Sequence, residues 1–238
     1  RYMSKITKKV YPVMGMHCAA CANNVEKIVK KQEGVEDASV NLAAAVLTVD
    51  FNSDVVSPEQ LKDAVMKIGF DLIIDEDNSM EEQEEAEHSY YEQLQRKTVV
   101  AWIFALPVAF MGMFFMDFPG INWWMLVLSL PVLFYSGHAF YVNAWKQAKH
   151  FTSNMDTLVA LSTSIAFLFS LFNTLYPQFW YEQGLEPHVY YEAATVIIAF
   201  VLVGKLMEEK AKGKTSMAIR KLMGLQPKTA RILRDGKE

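Results

Sequence analysis

Three stretches without a single Lys, Arg, Asp or Glu constrain this chain more than anything else in it. They supply 19 residues at 98–116, 25 at 121–145 and 25 at 157–181. Each, as a helix, is long enough to cross a hydrocarbon core of about 30 Å. A fourth apolar stretch, 189–207, is free of charge only from 193 to 204, with Glu192 and Lys205 near its ends. Charged heads reach the interface from such positions, so it also reads as a span. The sequence therefore predicts a four-helix transmembrane region over 94–210.

Orientation follows from the flanks. Arg96 and Lys97 precede the first span, Lys146 and Lys149 follow the second, and Lys205, Lys210, Lys212 and Lys214 follow the fourth. The loops between hold Asp117, Glu182 and Glu186 and no Lys or Arg. The positive-inside rule then places both termini and the 146–154 loop in the cytoplasm, on a multi-pass cell-membrane protein embedded in the lipid bilayer. The formal charge of -4 says little, because it sums an acidic run with basic flanks, and no nucleic-acid partner is expected. The opening "RYMSKITKKV" has basic residues without an apolar core behind them, so no signal peptide is expected. Its first residue is Arg, so the natural start is expected further upstream.

Residues 8–75 read as a compact α+β unit. "KKVYPVMG" is a strand running into a glycine turn, and Ala22, Val25, Ile28 and Val29 then recur at helical spacing. Ala38, Val40 and Leu42 alternate with Ser39, Asn41 and Ala43; Leu47, Val49 and Phe51 alternate likewise. Ser57-Pro58-Glu59-Gln60 is a helix start with a capping box, Leu61, Ala64, Val65 and Ile68 form the buried stripe, and Gly69 ends the helix. "FDLII" is the last strand. The order βαββαβ predicts a ferredoxin-like sandwich.

Residues 75–87, "DEDNSMEEQEEAE", carry eight acids and no Lys or Arg, which predicts an extended, solvated linker over 76–93. Within the second span, Pro131 and Ser136-Gly137 point to a kink. Beyond it Phe140, Tyr141, Ala144 and Trp145 share one face, opposed by Asn143, Lys146 and Lys149, as in a helix lying along the interface. A straight helix with ordinary interfacial aromatics is equally compatible with these residues.

Both cysteines of the chain lie in "MGMHCAACANN", as Cys18 and Cys21. A closed structural zinc site wants four ligands, and only these two thiols and His17 are local. The strand and helix pattern does not supply a thioredoxin-like context. A two-thiolate site remains, and soft sulfur at low coordination number suits Cu(I). Placement at a helix N-terminus is expected to lower the thiol pKa.

"GMHCAAC" on a βαββαβ unit resembles the heavy-metal-associated domain of copper chaperones and copper pumps. "NMDTLVALSTSIAFLFS", "YYEAATVIIAFVLVGKLMEEKAKGKTSMAIRKL" and "LQPKTARILRDG" resemble the first half of heavy-metal-transporting P-type ATPases of the copper-exporting subgroup. The resemblance covers nearly all of the chain from residue 8 onward and implies Cu(I) as bound and transported ion, with Cys18 and Cys21 as metal ligands. It also implies a metal intake point at the cytoplasmic membrane face, carried here by Met155 and Glu208, and a copper chaperone or other Cu(I) donor as partner. The family's platform for incoming carriers, usually marked by Gly-Gly, stands here as Ser136-Gly137.

Such a pump needs a phosphorylated aspartate and a nucleotide-binding domain, with ATP and Mg2+ in the intact protein. The signatures Asp-Lys-Thr-Gly-Thr and Thr-Gly-Glu, and the intramembrane Cys-Pro-Cys, do not occur in the sequence. Residues 211–238 are expected to be the truncated start of a β-rich actuator domain, and the C-terminal ATPase domains are expected as partners. The expectation is thus a catalytically incomplete portion of a copper exporter. A membrane-anchored copper chaperone without ATPase activity, and a membrane-tethered thiol redox protein, are the competing readings.

Overall fold

The computed structural model describes residues 6–74, 79–115, 118 and 120–223. Its N-terminal part runs β1 (Ile6–Met14), α1 (Ala19–Lys30), β2 (Val35–Asn41), β3 (Val46–Asn52), α2 (Pro58–Lys67) and β4 (Asp71–Leu72). The strands form one antiparallel sheet in the order β2-β3-β1-β4, with Tyr11 opposite Leu47 and Val13 opposite Leu72. This is the ferredoxin-like arrangement. The alternating residues Leu47, Val49 and Phe51 turn inward, where Val25 and Val29 of α1 and Leu61 and Val65 of α2 complete one buried core. Ser57 and Gln60 make the full capping box of α2, and Gly69 follows that helix at φ +93°. The last strand is shorter than "FDLII": Asp71 and Leu72 pair with Met14 and Val13, and the Ile73 amide donates to the Pro12 carbonyl beyond them.

From Ser79 onward the acidic run is not extended. It is the start of a 36-residue helix, α3 (Ser79–Phe114), that continues into the first apolar stretch. Self-repulsion loses here for two reasons. Glu, Gln, Met and Ala are good helix formers, and negative charge gathered towards a helix N-terminus is favoured by the helix dipole.

Next come α4 (Ile121–Pro131), a π-helical turn at Val132–Ser136, α5 (His138–Lys149), α6 (Met155–Leu175), the short α7 (Gln178–Tyr181) and α8 (Tyr191–Met223). Among the described residues, His88–Phe114 and Met155–Leu175 are each long and apolar enough to cross a membrane. The segments 121–136 and 138–149 pass that test together, but they are bent by 58° at the break between them. The helix is therefore kinked. The break falls at Gly137, where an added Cβ would lie 2.8 Å from the Leu133 carbonyl oxygen and 3.0 Å from Ile198 Cδ1. Ser136, buried beside it, donates to the Lys97 carbonyl across 3.0 Å, tying the kink to α3.

The fourth expected span forms the first half of α8, but every eighteen-residue stretch of that helix contains at least three charged side chains. Lys205 does not reach for the interface. It is buried and paired with Asp156 at 2.7 Å, with its ammonium 4.6 Å from the centre of the Phe140 ring. In a low-dielectric interior an ion pair with further hydrogen bonds replaces lost hydration. Asn143 supplies one, donating to Asp156 across 2.8 Å. On α5, Phe140, Tyr141 and Ala144 pack against the bundle, whereas Trp145 points away from it. The four residues do not share one covered face. Of the expected actuator start at 211–238, residues 211–223 continue α8 and the rest lies outside the described residues.

Candidate metal-transfer site

Gly15, at φ +85°, turns the chain out of β1, and Cys18 becomes the N-cap of α1, its sulfur accepting from the Cys21 amide at 3.3 Å. The spacing of three residues puts both thiols over the first turn, and their sulfurs stand 2.8 Å apart with no disulfide between them. Cys18 is half-buried and Cys21 buried. Burial, reinforced by the hydrogen bond shared with Cys18, pushes the Cys21 thiol up to about 11. The lowering expected from the helix N-terminus is outweighed, since loss of hydration penalises the thiolate more than the helix dipole favours it.

The thiol loop is not open to solvent on all sides. It is docked on the membrane-side helices through a set of polar contacts. Asn24 of α1 donates to the Gln147 side chain at 3.0 Å and to the Ser153 carbonyl at 3.3 Å. Gln147 in turn donates to the Ile68 carbonyl at the end of α2 across 2.7 Å, and Thr152 donates to Gln147. Asn154, which caps α6 through a capping box with Thr157, also reaches Cys21 Sγ at 3.8 Å. His17 sits beside Cys18 with its side chain buried. Its Nε2 is 3.0 Å from the Tyr90 hydroxyl, and its Nδ1 is 3.3 Å from Glu208 and 3.5 Å from Glu209.

The four residues singled out from the sequence are thus brought into one neighbourhood by two bridges. Cys21 touches the residue immediately before Met155, the first residue of α6, and the residue immediately before Cys18 touches Glu208. Sequence reading missed the bridging residues Asn24, Gln147, Asn154 and Tyr90. Only Asn154 carried a local signal, its Asn-x-x-Thr capping pattern; the others act through pairings across 73 to 129 residues. Among the described residues, no group of three or more His, Cys, Asp or Glu is placed to hold a metal ion. Of the four residues singled out from the sequence, the soft donors are the thiol pair and the Met155 thioether. A metal held by two thiolates at about 2.3 Å from each requires sulfurs further apart than they stand here, unless the angle at the metal is acute.

Residues 10–71 match the heavy-metal-associated domain family. Over 98% of its length the chain is 41% identical to the probable copper-transporting ATPase PacS of Synechococcus elongatus, covering 33% of that protein. It is 38% identical to the copper-exporting P-type ATPase of Bacillus subtilis, over 98% of this chain and 30% of that one. A solved structure, the N-terminal domain of a potential copper-translocating P-type ATPase from Bacillus subtilis in the Cu(I)-loaded state, is 43% identical over 29% of this chain and 86% of its own, with a TM-score of 0.28. The chain carries a heavy-metal-associated domain and is a homologue of the copper-exporting P-type ATPases over nearly all of its length. It spans about a third of the length of the curated relatives it matches.

Proposed function

We propose that this chain is the metal-capturing and intake portion of an ATP-driven Cu(I) export pump. Cys18 and Cys21 bind Cu(I) on the cytoplasmic side, and Met155 with Glu208 receives it at the mouth of the membrane path. The single observation that carries the reading is the docked position of the thiol loop, with Cys21 against Asn154 and His17 against Glu208. The chemistry is a ligand exchange between soft donors. Two thiolates hold the ion, the neutral thioether of Met155 takes it without a proton, and the Glu208 carboxylate offsets its charge. As the ion leaves, the thiols regain protons, which the raised Cys21 pKa favours.

In this reading 8–75 is the carrier domain, 76–93 the connection to the membrane region, helical from Ser79 onward, and 94–210 the membrane region. Residues 211–238 begin an actuator domain. Aspartyl phosphate formation from ATP with Mg2+ belongs to the remaining domains of the whole pump, and a soluble copper chaperone is the donor. The 8–75 segment has its own closed core and serves for the test by itself. Cys18→Ser with Cys21→Ser abolishes stoichiometric Cu(I) binding by soluble 8–75, measured by titration against a Cu(I) chelator; retained binding overturns the site. In the whole pump, Met155→Leu and Glu208→Gln lower export while insertion stays normal.

A further inference from the structure

Helix α5 ends in a Schellman turn whose central position is occupied by an unusual residue. The Phe151 amide donates to the Ala148 carbonyl at 3.1 Å and the Thr152 amide to the Gln147 carbonyl at 3.1 Å, the two bonds that define this C-cap. The position between them needs a left-handed backbone and is normally glycine. Here it is Phe151 at φ 53°, and its surface is 100% exposed. A bulky aromatic side chain at positive φ is strained, and no contact within the protein offsets it.

Its surroundings say what does. Gln147, with no exposed surface, contacts the docked domain, and earlier on the same face Asn143 and Phe140 pack against the bundle, so that side of α5 is covered by protein. The opposite side carries His138, Val142, Trp145 and Lys149, all exposed, with the Lys149 ammonium 5.6 Å from the centre of the Trp145 ring. This helix follows directly from an apolar segment across a 58° bend, and the exposed side is the one turned away from the domain. Aromatic rings favour the headgroup depth of a bilayer, and a lysine stem reaches acidic headgroups from it.

We propose that Phe151, Trp145 and Lys149 form a bilayer anchor that inserts into the acidic cytoplasmic leaflet and holds the docking cradle in place. The inference rests on the reading of the chain as a membrane protein with its thiol domain on the cytoplasmic side. The three residues after Phe151 are the cradle itself: Thr152 bonds Gln147, the Ser153 carbonyl accepts from Asn24, and Asn154 touches Cys21. The left-handed turn sends one side chain into lipid and the next three residues toward the domain. Leaflet composition thereby sets how firmly the domain docks.

The test uses the full chain in phosphatidylcholine vesicles with and without phosphatidylglycerol. A nitroxide at position 151 (Phe151→Cys on a Cys18→Ser/Cys21→Ser background) is expected to be several-fold more shielded from a water-soluble nickel chelate than one at Glu33 on the domain surface. That shielding is expected to be deeper with phosphatidylglycerol. Equal exposure at the two sites overturns the anchor, as does shielding that appears only on adding a soluble protein partner. Equal shielding in both lipids overturns the part assigned to Lys149. Phe151→Gly relieves the backbone strain while removing the ring. It is expected to speed amide exchange at Ile68–Phe70 several-fold in the acidic vesicles, whereas a purely structural role for Phe151 leaves exchange unchanged or slower. Fast exchange there in the unsubstituted chain overturns docking instead, and loss of Cu(I) binding by the thiol pair overturns only the transport reading.

Discussion

Asn24 on α1 and Gln147 on α5 are 123 residues apart in the chain and meet across 3.0 Å in a buried hydrogen bond. Around them the carrier domain joins the membrane helices. Truncating either residue leaves the other, or the Ile68 carbonyl, without its partner, at about 1–3 kcal/mol per orphaned group. Asn24→Ala and Gln147→Ala are each expected to loosen docking, seen as faster amide exchange at Ile68–Phe70 in the vesicle-reconstituted chain. Because the two share one bond, the double variant loses less than the sum of the singles. Strict additivity contradicts the pairing.

The buried pair Lys205–Asp156 behaves differently from a surface bridge. Both side chains are buried, and Asp156 also accepts from Asn143. Removing one charge strands the other, a loss of about 3–5 kcal/mol, whereas replacing both with apolar residues of similar volume is far milder. Lys205→Met is therefore expected to lower the thermal midpoint in detergent sharply, and Lys205→Met with Asp156→Leu to restore much of it. A double variant as unstable as the single one contradicts this.

The kink at Gly137 rests on space as well as on backbone freedom. A methyl group there meets the Leu133 carbonyl at 2.8 Å, a backbone atom that moves only with its helix. Gly137→Ala is expected to destabilise the bundle by about 1–3 kcal/mol and to weaken docking, since α5 carries Gln147. Unchanged unfolding and unchanged exchange at Ile68–Phe70 together contradict a steric role for the glycine.

How much of this was readable beforehand depends on the range of the interaction. Period-two alternation marked Leu47, Val49 and Phe51, and the Ser57–Gln60 box marked the start of α2, because both signals are local. The kink was left undecided by Pro131 and Ser136-Gly137 alone; the close approach of Leu133 and Ile198 to Gly137 appears only once the helices pack. Lys205 looked like an interfacial lysine because Asp156 is 49 residues away. Charge density points to an extended acidic run, but helix propensity prevails in it from Ser79 onward. At the thiols, the spacing put the pair on the first turn of α1, but the docking contact of buried Cys21 with Asn154 has no signature in "GMHCAAC".

That burial has a pH consequence of definite sign. The Cys21 thiol, ordinarily near 9.0, is pushed up to about 11 by loss of hydration, with the Cys18 hydrogen bond adding to it. A folded-state pKa above the unfolded one means that the neutral thiol's contribution to stability is complete below about pH 9. It is lost as pH rises towards 11, because the unfolded chain gives up its proton first. The metal-free chain is therefore expected to lose stability between about pH 9 and 11, measured by denaturant unfolding of the carrier domain, more steeply than a Cys21→Ser variant with nothing to ionise at that position. In the same window, alkylation of Cys21 by iodoacetamide rises with pH later than for an exposed thiol, since the thiolate is the reactive form. Parallel stability profiles for the two proteins, or alkylation of Cys21 as fast as that of a free thiol at neutral pH, contradict a buried, proton-retaining cysteine.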